Sequence, residues 1–267
     1  MILNTPSRRA GFAPAAAVFM ALEVFLPEWT VAGIMPVVMA AAAAAAGSYV
    51  LRGTGPLYTM PEGPALEGAA LLAYSGIGLL IGLWAALSIK LSGLISKWFG
   101  KLTAIHRWYL LVAALTAGMI ACFFPRITGG GNNYINDLLH AHVTLSILFA
   151  LGILKLIAWL LFSGAYKTGA GITPLLVTGG AMALLTGVII QLLFPSVIVH
   201  SGMVVLVGMG AMLCGTSRAL LTSIVFSLEI THNIQAALPL CLACVAAYCI
   251  SLGLIKQRKA NDHFALL

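Results

Sequence analysis

The chain has 267 residues, of which 61% are hydrophobic and only 8% are charged. About a quarter of the residues in a soluble domain are charged, so this composition excludes a soluble globular protein and predicts an integral membrane protein. The formal net charge of +7 does not indicate a nucleic-acid partner, because the basic residues cluster at the ends of apolar segments, as Lys256, Arg258 and Lys259 do after the last one.

Apolar segments alternate with connections that contain helix-breaking or basic residues along the whole chain. Segments of about 20 apolar residues can cross a bilayer as helices, and no segment has the ~10-residue alternation of a β-barrel strand. The predicted structure is therefore all-α, although some helices are too short to span a membrane alone. The first predicted helix has about 14 residues and ends near Pro27. The later ones cover residues 31–51, 66–95, 108–124, a short segment ending at 142, and then 143–162, 175–194, 202–213, 219–230 and 236–255.

Two of these helices, far apart in the chain, share a sequence pattern. Ala13 and Glu23 are ten positions apart, as are Ala219 and Glu229, and each apolar stretch ends in Leu-Glu. Charge held in one register by two separated segments predicts a repeated membrane fold. Short, interrupted segments in corresponding positions of two repeats indicate a binding site near the bilayer midplane. In a third helix, Gly78-x-x-x-Gly82 predicts a close contact with a neighbouring helix.

Two breaker-rich stretches, residues 125–133 and 163–174, lead into predicted helices. In the second stretch, Gly169 and Gly171 precede Pro174, which lies in the first helical turn, where its missing N–H costs nothing. A helix N-terminus offers free N–H groups and about half a positive charge, which suits an anion. The glycines alone are equally consistent with an ordinary loop before a helix, and the same two interpretations apply to the first stretch.

Four sets of residues occur in an order that resembles one known family. They are Phe12-Ala13-Pro14 with Leu22-Glu23; Gly130-Gly131-Asn132 with Asn136-Asp137-Leu138-Leu139; Ser163-Gly164-Ala165 with Gly169 and Thr173-Pro174; and Gly208-Met209-Gly210-Ala211 with Ser217-Arg218-Ala219, Thr222 and Leu228-Glu229-x-Thr231. Together they resemble the CLC family of chloride channels and proton/chloride antiporters. The third set is similar to a variant of that family's Gly-x-Phe-x-Pro anion motif.

The resemblance implies an all-helical, polytopic membrane domain, built as an inverted repeat of tilted and broken helices. Residues 12–51 would be the last two helices of the first repeat, and 66–260 would be the second repeat. The family's Gly-Ser-Gly-x-Pro loop and its gating-glutamate loop do not occur in the sequence. The subunit is therefore expected to be truncated at its N-terminus, beginning just after both loops.

The resemblance also implies which residues contact the anion. The backbone amides of Gly171, Ile172 and Thr173 would replace the hydration shell of the ion. Ile172 stands where the family has phenylalanine, a change that backbone contacts tolerate. Phe264 would fall near the position of the family's pore tyrosine and lacks its hydroxyl group.

Three charged residues in apolar surroundings are candidates for either a functional or a structural role. Glu23 and Glu229 each lie near the end of a short segment, beside polar or breaker residues, so both are expected to be capped or paired structural carboxylates. Arg218 is expected to neutralise a carboxylate or to orient carbonyl groups. Val24 follows Glu23 where proton-coupled family members often have a second glutamate, which favours a passive channel or an atypical exchanger.

Neither an enzyme nor a metal site is predicted. No His-Glu-x-x-His or Gly-x-Ser-x-Gly motif occurs, and His140, His142 and His200 lack ligand-like spacing with Cys, Asp or Glu. The expected function is transport of chloride or a similar anion, without a cofactor, by a multi-pass protein of the cell (inner) membrane. A homodimer is implied because residues 12–51 and 219–255 correspond to the family's dimer-forming helices. The alternative is a truncated chain that associates in the bilayer and conducts nothing.

Overall fold

All regular secondary structure in the described part of the computed structural model is helical. The structure describes residues 13–26, 30–52, 57–61, 68–103, 114–115, 118–119, 122, 131–165, 171–195 and 199–254. The helices are α1 (Pro14–Met20), continued by a π-helical turn (Ala21–Phe25); α2 (Val31–Arg52); α3 (Gly68–Thr103); α4 (Asn132–Leu139); α5 (Leu145–Phe149), joined by a π-helical turn (Ala150–Leu154) to α6 (Lys155–Ala165); α7 (Thr173–Leu193); α8 (Ser201–Ser217); α9 (Leu220–Thr231); and α10 (Ala237–Leu254), preceded by a 3₁₀ turn (Ile234–Ala236).

Long and short apolar helices are combined in this fold, as the sequence predicts. Within the described ranges, the segments long and apolar enough to cross a membrane are Gly33–Val50, Gly68–Phe99, Leu145–Ser163, Thr173–Leu193 and Ile234–Leu254. The shorter apolar helices are Pro14–Phe25, Ser201–Ser217 and Leu220–Thr231. The predicted crossing at 108–124 lies largely outside the described residues.

Helix α8 lies at the centre of the bundle. Every residue from Gly202 to Thr216 is buried, because the helix is apolar on all sides and packs against α3, α7, α9 and α10. Glycines bring α7 and α8 close together: a Cβ at Gly208 would collide with the Cβ of Ala183 and lie 2.6 Å from the carbonyl oxygen of Gly179. The backbones of these two helices therefore pack in direct contact.

Helix α3 packs against α10 through Gly78 and Gly82. A Cβ at Gly78 would collide with the backbone of Ala243, and a Cβ at Gly82 would lie 2.5 Å from the Cα of Ala247. The close contact predicted from Gly78-x-x-x-Gly82 is confirmed. Small residues on both helices allow this approach, as is typical of helix pairs in membranes.

Helix α3 is longer than predicted. It continues beyond Ile95 to Thr103, because no proline interrupts it and isolated lysines do not end a helix. Lys90 and Lys97 therefore both lie on the helix. Long basic side chains near a helix end can reach the membrane interface while their methylene groups stay in apolar surroundings.

Candidate anion site

Gly171 forms the turn that leads into α7. Its φ of +85° is left-handed, a conformation that glycine adopts readily, and a Cβ there would meet no atom within 4 Å. Ile172 is the N-cap residue and its side chain makes no capping hydrogen bond. Because the first N–H groups of a helix have no intrahelical acceptor, those of Ile172 and Thr173 have no partner within α7, and the N–H of Gly171 precedes them in the turn.

Two buried side chains lie beneath this turn. Trp159, in α6, is 4% exposed and donates its indole Nε1–H to the carbonyl oxygen of Gly171 at 3.0 Å. Thr178, one turn into α7, donates its hydroxyl to the carbonyl oxygen of Pro174 at 2.9 Å, and its Oγ1 lies 3.5 Å from the carbonyl oxygen of Leu151 in the π-helical turn. The sequence motifs indicated neither residue, because only the folded chain brings Trp159 to Gly171.

A cavity of about 200 Å³ lies beside the turn, between α1, α8 and α9. Its wall is mostly apolar and includes the alanines of α1, Ile172 and Phe226, while Ser217 and Thr222 contribute polar side chains. Ile172 therefore lines the same space as the start of α9. This arrangement brings the candidate anion-binding turn and the Thr222 hydroxyl to one cavity.

Glu23 and Glu229 each cap the helix that carries the other. Glu23, in the π-helical turn after α1, accepts the N–H groups of Leu221 at 3.0 Å and Thr222 at 2.8 Å, and also the Thr222 hydroxyl at 2.7 Å. Glu229, near the end of α9, accepts the N–H groups of Ala15 at 3.1 Å and Ala16 at 2.9 Å. Helices α1 and α9 therefore run antiparallel, with a carboxylate from each at the N-terminus of its neighbour.

The shared spacing of these segments follows from this geometry. The N-cap residues are Ala13 and Ala219, whose methyl side chains make no capping hydrogen bond. Each glutamate instead binds the N–H groups of the second and third residues of the neighbouring helix. A glutamate ten positions after the N-cap residue lies at the opposite end of its own helix, where the partner helix begins.

Arg218 lies at the corner between α8 and α9. Its φ of 58° is left-handed, and its Nη2 atom lies 3.5 Å from the carbonyl oxygen of Ser251 in α10. The Ser251 hydroxyl in turn donates to the carbonyl oxygen of Gly215 at 2.8 Å. These contacts connect the corner to α10, as a structural arginine would. The remaining predicted site residue, Phe264, lies outside the described residues.

Over the described ranges, no group of three or more His, Cys, Asp or Glu side chains could hold a metal ion. The hydroxyl groups of Ser217 and Thr222 already donate to the carbonyl oxygen of Leu213 and to Glu23, so the donors that the site offers in its largely apolar setting are the backbone N–H groups of the turn. Such donors suit a small anion.

Residues 10–252 match the family model described as voltage gated chloride channel. The putative chloride channel protein ClcB-like of Ralstonia nicotianae is 29% identical over 236 residues, which cover 88% of this chain and 55% of that protein. The H⁺/Cl⁻ exchange transporter ClcA of Vibrio cholerae serotype O1 is 29% identical over 241 residues, which cover 88% of this chain and 52% of that protein. The chain thus spans about half the length of the curated relatives it matches.

The fold has a counterpart among solved structures. A slow cyanobacterial Cl⁻/H⁺ antiporter superposes with a TM-score of 0.82, covering 93% of this chain and 59% of that chain, at 22% identity. This likeness shows the arrangement of tilted and broken helices, and the family model covers nearly the whole chain. The chain is an integral membrane protein and belongs to the voltage-gated chloride channel (CLC) family.

Proposed function

We propose that this chain transports chloride or a similar anion across a membrane, and that the N–H groups of Gly171, Ile172 and Thr173 bind the ion. The main support is the uncapped N-terminus of α7 after a left-handed glycine, in a member of the CLC family. Amide groups replace water around an anion without a net charge of their own, so the ion can also leave. The ion itself is the ligand, and no cofactor takes part.

The proposed transport domain has two unequal parts. Residues 12–51 are the end of a first repeat and 66–260 are a second repeat. The matching caps of α1 and α9 support this division, because both helices begin and end in the same way. A passive channel or an atypical exchanger is proposed because Val24, next to Glu23, cannot carry a proton.

A homodimer in the inner membrane of the cell is the proposed assembly. None of the residues in the apolar window Gly33–Val50 of α2 is buried, so this helix presents its surface to lipid or to another subunit. Leu238, Leu242 and Val245 form an exposed apolar face on α10. These surfaces belong to the segments that the CLC resemblance assigns to the dimer.

Chloride efflux from proteoliposomes tests the transport proposal. Replacement of Gly171 by Val should reduce efflux at least tenfold, because a branched residue cannot readily keep the left-handed turn and the amides would lose their alignment. The matched control is Gly68→Val, a substitution at an exposed glycine outside the proposed dimer segments, with no atom within 4 Å of its added Cβ. Equal efflux from both variants would remove the turn from the anion pathway.

A second candidate function is association in the membrane without conduction. The unburied helix α2 favours it, because a long apolar helix with few contacts in its own subunit is suited to pairing with another. A folded, dimeric wild-type protein that neither binds chloride in calorimetry nor releases it from vesicles would support this candidate over transport.

A further inference from the structure

We propose that Trp159 is a positioning residue for the anion: its indole N–H holds the carbonyl of Gly171 away from the ion and thereby directs the N–H of Ile172 towards it. The inference rests on the proposed function and adds to it a side chain that does not touch the ion. Trp159 lies in α6, in a different helix from the one whose amides bind.

The geometry of one peptide group carries the argument. The carbonyl of Gly171 and the N–H of Ile172 belong to the same planar, trans peptide, so they point in opposite directions. The Nε1 atom of Trp159 lies 3.0 Å from the carbonyl oxygen, which fixes that oxygen on the side of α6. The N–H of Ile172 must then point to the opposite side, away from Trp159.

The electrostatics of the turn make this orientation important. A carbonyl oxygen is the negative end of the peptide dipole and repels an anion, whereas the N–H attracts it. Gly171 has no side chain to prevent rotation of the peptide, and the space around its missing Cβ is open within 4 Å. Rotation would also deprive the indole N–H of its acceptor, at a side chain that is only 4% exposed. The hydrogen bond therefore locks the binding orientation.

The chain contains a matched control for this hydrogen bond. The indole Nε1 of Trp84, in α3, is buried and has no hydrogen-bond partner in the described part of the structure. Trp84→Phe and Trp159→Phe remove the same N–H group and keep an aromatic ring. Only the second substitution removes a hydrogen bond to the turn.

The experiment is a chloride titration of the full chain in nanodiscs, in which chloride replaces gluconate at constant ionic strength. The ¹⁵N-labelled indole groups are observed by NMR. The chain has five tryptophans, so single Trp→Phe substitutions assign the signals. The Trp159 signal should shift with saturation as chloride binds, and the Trp84 signal should not. Trp159→Phe should weaken chloride binding about tenfold, the equivalent of one hydrogen bond, while Trp84→Phe leaves it unchanged.

A purely structural role for Trp159 would lower the thermal midpoint of the variant without changing its chloride affinity. That outcome overturns the inference, and so does a wild-type Trp159 signal that stays fixed while calorimetry detects chloride binding. The wild-type titration decides the question even if Trp159→Phe does not fold. If the folded wild-type protein binds no chloride by either method, the proposed function itself fails.

Discussion

At the scale of single residues, two glycines with left-handed backbone conformations stand directly before α4 and α7. Gly131 has a φ of +84° and Gly171 a φ of +85°, so an L-residue at either position is strained. Their surroundings differ. A Cβ at Gly131 would lie 2.9 Å from Cγ2 of Val177 and 3.2 Å from Nζ of Lys155, whereas Gly171 faces open space.

This difference predicts unequal effects of the same substitution. Gly171→Ala should lower the free energy of unfolding by about 1–2 kcal/mol, the cost of a left-handed L-residue. Gly131→Ala should lower it by more, because the added methyl group also displaces Val177 or the buried Lys155 side chain. Thermal unfolding in detergent, followed by circular dichroism, measures both. Equal losses of unfolding free energy would mean that the side chains around Gly131 accommodate the added methyl group without further destabilisation.

The sequence indicated part of this residue-scale picture. The glycines and prolines of the two breaker-rich stretches located the loops, because these residues have conformational meaning on their own. Trp159 left no such signal, since a single tryptophan in an apolar helix looks like any other packed residue. Its partner is the carbonyl of Gly171, and only the path of α6 past α7 makes that contact.

At the scale of elements, the exchange of caps between α1 and α9 is expected to stabilise both helices. Each carboxylate satisfies two backbone N–H groups that have no acceptor within their own helix. Hydrogen bonds to a charged group contribute about 1.5–3 kcal/mol. The two caps lie at opposite ends of the same antiparallel helix pair. Loss of one cap is therefore expected to weaken the packing that holds the other cap in place.

Glu23→Gln and Glu229→Gln should each lower the free energy of unfolding by about 1.5–3 kcal/mol, because an amide has one acceptor oxygen and no charge. The double variant should lose less than the sum of the single losses, since both act on the same helix pair. Asp137→Asn is the control, because its exposed carboxylate should contribute within about 0.5 kcal/mol. Strictly additive losses measured in denaturant would show that the two ends are independent.

The crossing of α3 and α10 gives a second prediction at this scale. Gly82→Val should separate the helices and lower the thermal midpoint markedly, because the new side chain would overlap the backbone at Ala247. Gly76→Val, on the same helix with no atom within 4 Å of its added Cβ, should have a small effect. Similar midpoints for the two variants would contradict the close packing at this crossing.

The positions of most helices could be predicted from the sequence, but some ends and irregular turns could not. Apolar length and breaker residues place the spans, whereas α3 continues past its predicted end at residue 95 to Thr103. The π-helical turns at Ala21–Phe25 and Ala150–Leu154 have no composition of their own, because they differ from an α-helix only in hydrogen-bond register. The ten-residue step from alanine to glutamate indicated a repeat. The reason for that spacing, the exchange of caps between α1 and α9, is visible only in the packed helix pair.

At the scale of the whole molecule, exposed apolar helix faces must meet either lipid or a second subunit. In lipid, helix association depends on shape and close packing more than on the hydrophobic effect. Leu242→Trp on α10 should therefore reduce the dimer fraction, because the larger ring disturbs a packed interface. Leu83→Trp on α3 is the control, since Leu83 is exposed to a similar degree, 47% against 42%.

Size-exclusion chromatography with light scattering in detergent measures the mass of each variant. Loss of the dimer for Leu242→Trp alone would support the proposed interface. A dimer that survives both substitutions would move the interface away from α10, and α2 would become the next helix to test.

The fold class was predictable at this scale because the composition excludes a soluble protein and four ordered motifs point to one family. The assembly was not predictable in the same way. A lipid-facing surface and a subunit interface are equally apolar, so neither hydropathy nor burial in one subunit distinguishes them. The division of the chain into an incomplete and a complete repeat also stays a proposal.

The exchange of caps between α1 and α9 also affects the order in which hydrogen bonds form during synthesis of the chain. The partners Glu23 and Leu221 are 198 residues apart, and Ala15 and Glu229 are 214 residues apart. A ribosome that adds about 5–20 residues per second needs about 10–40 s to travel that distance. Until α9 is synthesised, the N–H groups at the start of α1 and the carboxylate of Glu23 lack the partners that they have in the folded protein. The hydrogen bonds of an early helix are therefore completed only when a late helix inserts.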